Sequence, residues 1–135
     1  MADKQAVTEL LNHAGVAYDV GDSDFLIGMF APDNPVFEMT IAGGDPITFE
    51  GSEAIAGLFG GAMEEQTDQR RHVITNIYFE NEAEDSITAV SYLVLISVEN
   101  GQLNVLSSGV YTDDCVRAGD DWKIRKRFLA LDLPY

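Results

Sequence analysis

The strongest constraint lies in the second half of the chain. Four long β-prone runs follow one another, near Arg70–Asn81, Ser86–Glu99, Gln102–Arg117 and Trp122–Asp132. They are rich in Val, Ile, Leu, Tyr and Phe, and the segments "ENEAED", "ENG" and "AGDD" between them read as turns. Long consecutive strands of this kind pair as an antiparallel meander. Strand alternation sets Val73, Ile77 and Phe79 against Ile74 and Tyr78, so apolar residues are expected on both faces of the first strand. A sheet that needs cover on both sides implies helices on one face and a partner subunit on the other.

The first half supplies the helices. Val7, Leu10, Leu11, Ala14, Ala17 and Tyr18 recur at steps of three and four, which predicts a helix from about Asp3 to Val20. Asp3 fits its N-cap and Gly21 its C-terminal stop. "DSDFLIGMF" reads as a second short helix, broken by Pro32 and Pro35. "VFEMTIA" and "ITFEG" read as short strands around "GGDP", and Ser52 is the expected cap of a third helix, "EAIAGLFGGAMEEQ". The order α, α, β, β, α and then four strands predicts one α+β domain over residues 1–135. Three helices pack on a curved antiparallel sheet that curls around an internal cavity.

Composition narrows what such a cavity could hold. The chain has 23 acids against 8 bases, a net charge of −15. Nucleic acids and anionic membrane surfaces are poor partners for it. A neutral or weakly charged, hydrophobic small molecule fits better. A single cysteine, Cys115, excludes an intrachain disulfide, and the lack of a Cys/His cluster predicts no structural zinc and no metal site. The start "MADKQAVTELL" lacks the apolar run of a signal peptide, and "YLVLISV" is too short to span a bilayer. The expectation is a cytoplasmic protein.

Two residues suggest chemistry. His72, one of 2 histidines, shares a strand face with Ile74, Asn76 and Tyr78 by simple alternation. A neutral imidazole in a cavity can accept a proton near neutral pH, provided something orients its other nitrogen. Asp19 lies about 80° from Leu11 on the first helix, at the edge of the apolar stripe. From there it either faces solvent or reaches into the cavity, and His72 is either a satisfied semi-buried histidine or a base. Arg70 and Arg71 read as surface or interface ion pairs. Tyr111 and Asp113 read as cross-strand partners, and Arg127 as either an ion-pair partner or a ligand contact on the face opposite Trp122.

Three stretches resemble the SnoaL-like family of the nuclear-transport-factor-2-like superfamily. They are "AYDVGDSDFLIGMFAPD", "RRHVITNIYFE" and "SGVYTDDCVRAGDDWKIRKRFLALD", supported by "FEGSEAIAGLF". The resemblance spans nearly the whole chain and implies a cone-shaped α+β fold. Asp19 and His72 fall where hexachlorocyclohexane dehydrochlorinase carries its Asp–His pair, and Tyr18, Asp19 and His72 resemble part of the scytalone dehydratase site. A second histidine of that dehydratase has no counterpart in "TAVSYLVLI", where Ser91 and Tyr92 stand. The resemblance thus implies a cofactor-independent lyase, isomerase or cyclase acting on a hydrophobic ring-containing molecule. His72 and Asp19 would be catalytic, with Tyr18, Asn76, Tyr92 and Arg127 binding substrate. The same fold also serves non-catalytic binding proteins and the small subunits of aromatic-ring dioxygenases. The outer sheet face is expected to form a homodimer or a higher homo-oligomer.

Overall fold

A computed structural model describes all residues, 1–135. The helices are α1 (Lys4–Val20), α2 (Ser23–Gly28) and α3 (Ser52–Glu65), and the strands are β1 (Val36–Ile41), β2 (Ile47–Glu50), β3 (Gln69–Glu80), β4 (Ser86–Glu99), β5 (Gln102–Ala118) and β6 (Asp121–Leu131). The Asp3 side chain caps α1 by accepting from the Ala6 N–H at 3.0 Å, and Gly21 ends the helix in the left-handed region at φ 72°. One cap differs from expectation. The N-cap of α3 is Gly51, at φ 89° and with no side-chain bond, so Ser52 is the first helical residue.

All six strands form one sheet in the order β2-β1-β6-β5-β4-β3. The predicted meander runs from β3 to β6. The sheet as a whole is mixed, because β1 pairs parallel to β6, Val36 against Lys126 through Ile41 against Leu131. No hairpin links these two strands, so no tight turn dictates their direction. The sheet curves around the helices as an open cone and does not close into a barrel. Its concave side and the helices share one core, including Val7, Leu11, Leu26, Ile55, Leu93 and Ile124.

Strand β3 carries apolar residues on both faces, with Val73 and Tyr78 exposed on the outer side, but the division between the faces differs from simple alternation. Asn76 takes φ 55° at a β-bulge where Thr75 pairs with Tyr92 but Tyr78 pairs with Val90. The extra residue shifts the alternation by one. Ile74 before the bulge and Ile77 and Phe79 after it therefore all pack against the same core. A second bulge, in β6, pairs Asp114 with Lys126 but Cys115 with Ile124. Arg125 is the extra residue, and Arg127 moves to the buried side with Trp122 and Ile124, the reverse of the expected facing.

Helix α1 meets β3 without a side chain between them at Gly15. A Cβ there would lie 3.0 Å from the His72 carbonyl oxygen and 3.2 Å from Ile74 Cγ1. A methyl group would gain helix propensity yet press on backbone. Gly15→Val should lower stability by about 1–3 kcal/mol through overpacking, measured by urea denaturation; an unchanged midpoint would mean that the helix and strand are not locked at this distance.

Candidate active site

Helix α1 delivers Asp19 from its last turn. A carboxylate near a helix C-terminus is disfavoured by the helix dipole, by about 0.3–1 kcal/mol. Donors from His72 offset this. The His72 backbone N–H donates to Asp19 Oδ1 at 2.9 Å, and ring Nδ1 lies 2.8 Å from the same oxygen. Side-chain exposure is 8% for Asp19 and 14% for His72. An ionised carboxylate can only accept, so Nδ1 carries the proton and Nε2 is left as the acceptor. A second tie holds the same junction: Gln69 Nε2 donates to the Asp19 carbonyl oxygen at 3.0 Å.

The ring of Tyr18 stacks on His72, with centroids 4.7 Å apart and planes at 19°. Burial pushes the His72 pKa below its ordinary value. The hydrogen bond and charge of Asp19 work against that shift, while Arg127 and Arg70 reinforce it. The net direction keeps the imidazole neutral at neutral pH. Burial pushes the Tyr18 phenol upward, with Arg127 opposing, and pushes Tyr111 strongly in the same direction. Both phenols remain protonated and able to donate.

His72 and Tyr18 open on a cavity of about 700 Å³. Just over half of its lining residues are hydrophobic, including Phe37, Met39, Leu58, Phe59, Leu93 and Leu129. Tyr111 adds a phenol to the wall, and Glu65, Asp68, Arg70, Glu99 and Tyr135 make part of the lining polar. The volume and apolar lining suit a ligand of a few fused rings.

The other expected site residues are elsewhere. Asn76 is exposed at the bulge, because its left-handed backbone takes it out of the alternation that carries His72. Tyr92 is 50% exposed on the outer face, opposite Thr75. Arg127 is buried behind the cavity wall. Its Nε donates to Asp113 Oδ1 at 2.8 Å, and its guanidinium lies 3.7 Å from the centre of the Tyr111 ring. Burial works against the Arg127 charge, but Asp113, Tyr111 and Tyr18 hold its proton more firmly than usual. Ser91, where a second histidine was sought, is buried with no partner for its hydroxyl and does not line the cavity.

Two cavity residues were given other roles in the sequence. Tyr111 was expected to serve only strand pairing. Arg70 was expected in a surface or interface ion pair; it does pair, with Asp68, but turns inward with His72, and only Arg71 is exposed. Alternation with His72 was the available signal for Arg70.

The SnoaL-like domain family matches residues 1–128. The chain belongs to this family. Its fold is that of the nuclear-transport-factor-2-like, cystatin-like proteins. One such protein, from Novosphingobium aromaticivorans, is 23% identical with a TM-score of 0.79, over 96% of this chain and 81% of the other. A protein of the same organism, provisionally assigned as the beta subunit of an aromatic-ring-hydroxylating dioxygenase, has a TM-score of 0.83 at 16% identity, covering 98% and 90% of the two chains. A protein of Catenulispora acidiphila in complex with S-DNPA is 26% identical with a TM-score of 0.80, covering 95% and 92%. No curated protein matches this SnoaL-like chain. No three His, Cys, Asp or Glu side chains in it cluster as metal ligands would, and no helix is long and apolar enough to cross a membrane.

The Asp113–Arg127 pair supports this wall from behind. Removing one member strands a buried charge, which typically costs about 3–5 kcal/mol, whereas replacing both with apolar residues is often close to neutral. Arg127→Leu should therefore destabilise the protein far more than the double variant Asp113→Leu/Arg127→Met. Chemical denaturation of the two variants checks this, and equal losses would contradict it.

Proposed function

We propose that this SnoaL-like protein is a cofactor-independent lyase, isomerase or cyclase acting on a hydrophobic ring-containing carbon acid, with His72 as base. The observation that carries the reading is the 2.8 Å contact between Asp19 and His72 Nδ1 beside a cavity with apolar walls and a few polar groups. The complex of the Catenulispora acidiphila protein with S-DNPA supports a ligand-holding cavity as well.

His72 Nε2 takes a proton from a carbon next to a carbonyl, and Asp19 stabilises the imidazolium that forms. The electron pair moves onto the carbonyl oxygen as an enolate. Tyr18 and Tyr111 are the donors available to that oxygen, and Arg127 behind them supports negative charge there. The enolate then recovers a proton at another carbon, expels a leaving group, or attacks a second carbonyl. These three fates give isomerase, lyase and cyclase chemistry from one first step. The likeness to a dioxygenase beta subunit, at 16% identity, extends to the fold alone. The reading includes a homo-oligomer formed through the outer sheet face, supported by the exposure of Val73, Tyr78, Tyr92 and Val105.

The first step can be tested before the product is known. Aromatic ketones that bind the cavity are incubated in deuterated water, and incorporation at the α-carbon is followed by NMR. Wild type should catalyse exchange, and His72→Ala or Asp19→Asn should lose about 10²–10⁴-fold. Exchange that is equal in all three proteins would sink the reading and leave a non-catalytic binding protein.

The pH dependence has a definite sign. Because the folded pKa of His72 lies below its ordinary value of about 6.5, the base stays neutral down to a lower pH than a free histidine. Exchange should be flat above about pH 6.5 and fall as acid protonates His72. Stability moves in the same direction: the unfolded chain takes the proton first, so stability declines as pH falls from about 6.5 towards the folded pKa. A rate profile still rising well above neutrality would contradict this.

A further inference from the structure

Arg70 is the one Lys or Arg side chain on the cavity wall. It precedes His72 by two positions on β3 and faces the same way, which sets their Cα atoms about 7 Å apart. Its Nε donates to Asp68 Oδ2 at 2.8 Å, and the Ser97 hydroxyl donates to the same carboxylate oxygen. The Tyr135 ring lies 5.2 Å from the guanidinium carbon. Asp68 therefore grips the guanidinium from the Nε side, with Ser97 anchoring Asp68. These bonds leave the two terminal nitrogens of Arg70 without a protein acceptor.

A ligand seated against Arg70 would have to answer those nitrogens. An apolar ligand with no acceptor would strip water from them and give nothing in return, a loss comparable to a broken charged hydrogen bond. A carboxylate answers both nitrogens at once with a planar, two-point fit that a hydroxyl or a ketone cannot supply. Glu65, Glu99 and Asp68 itself also line the cavity and repel anions. That repulsion acts through solvent and is screened by salt, whereas contact with the guanidinium fork is local.

We propose that the ligand of this cavity is an aromatic or polycyclic carboxylate, its acid group held by Arg70 while its rings extend towards His72. The proposal deepens the reading of the site as a carbon-acid enzyme, because it names the substrate class, but binding alone can test it. The probes are 2-naphthoate and its neutral analogue 2-naphthalenemethanol, titrated calorimetrically into the purified full chain at moderate salt. Wild type should prefer the carboxylate by about tenfold or more, the usual weight of a charged hydrogen bond. Arg70→Gln should remove that preference while leaving the alcohol's affinity nearly unchanged. Arg70→Lys, which keeps charge but loses the fork, should retain only part of it.

His72→Ala, titrated in parallel, should keep the wild-type preference. A failed catalytic reading would then leave the Arg70 result standing, and the reverse holds as well. Equal or tighter binding of the alcohol to wild type, an undiminished preference in Arg70→Gln, or no binding of either probe would overturn the proposal.

Discussion

The contact between the end of α1 and the start of β3 is the constraint on which the rest of the site depends. Gly15 lets the helix backbone approach the strand so closely that a methyl group would press on the His72 carbonyl. One turn later, Asp19 accepts from both the backbone and the ring of His72. The carboxylate thus fixes a strand position, a rotamer and a tautomer together. Placed at a helix C-terminus, it gains nothing from the helix dipole and relies on those donors. Helix packing and site geometry are one arrangement here, because moving α1 would move the group that orients the imidazole.

Electrostatics within the fold follow a simple division. The chain is strongly acidic overall, with a net charge of −15, yet two arginines sit at or behind the cavity. Arg127 is neutralised by Asp113 and lies against the Tyr111 ring. Arg70 is held by Asp68 at one edge only. Both lower the proton affinity of His72, adding to the larger effect of burial. Asp19 opposes them but does not reverse the direction. The outcome is a histidine poised as a neutral acceptor, flanked by two phenols that burial keeps protonated.

Much of this was legible in the sequence. The helical stripe of α1, the four long strands and the edge position of Asp19 all follow from periodicity, and Asp19 and His72 do meet. The failures have one main cause. Simple alternation put Asn76 beside His72 and Arg127 opposite Trp122, and a β-bulge between each pair reverses the facing. A bulge adds one residue and leaves little trace in composition. The left-handed tolerance of asparagine, and the Ile74, Ile77, Phe79 spacing, are the only hints at the first one. The inward turn of Arg70 has a different cause. An arginine at a strand start is usually solvated; here Asp68, two residues before it, is anchored by the distant Ser97, which the β3–β4 pairing sets opposite Arg70, and together they turn the guanidinium inward.

The parallel pairing of β1 with β6 was likewise invisible, since it joins segments far apart in the chain with no turn to announce it. It extends the wall of the cone on the side where Phe37, Met39 and Leu129 add apolar lining. At the centre of the site, Asp19 holds His72 as a neutral imidazole with its proton on Nδ1. Nitrogen-15 NMR of the His72 ring at neutral pH tests this most directly. The account predicts a protonated Nδ1 and a bare Nε2, with that preference lost in Asp19→Asn. An imidazolium at neutral pH, or a proton residing on Nε2 in the wild type, would contradict it.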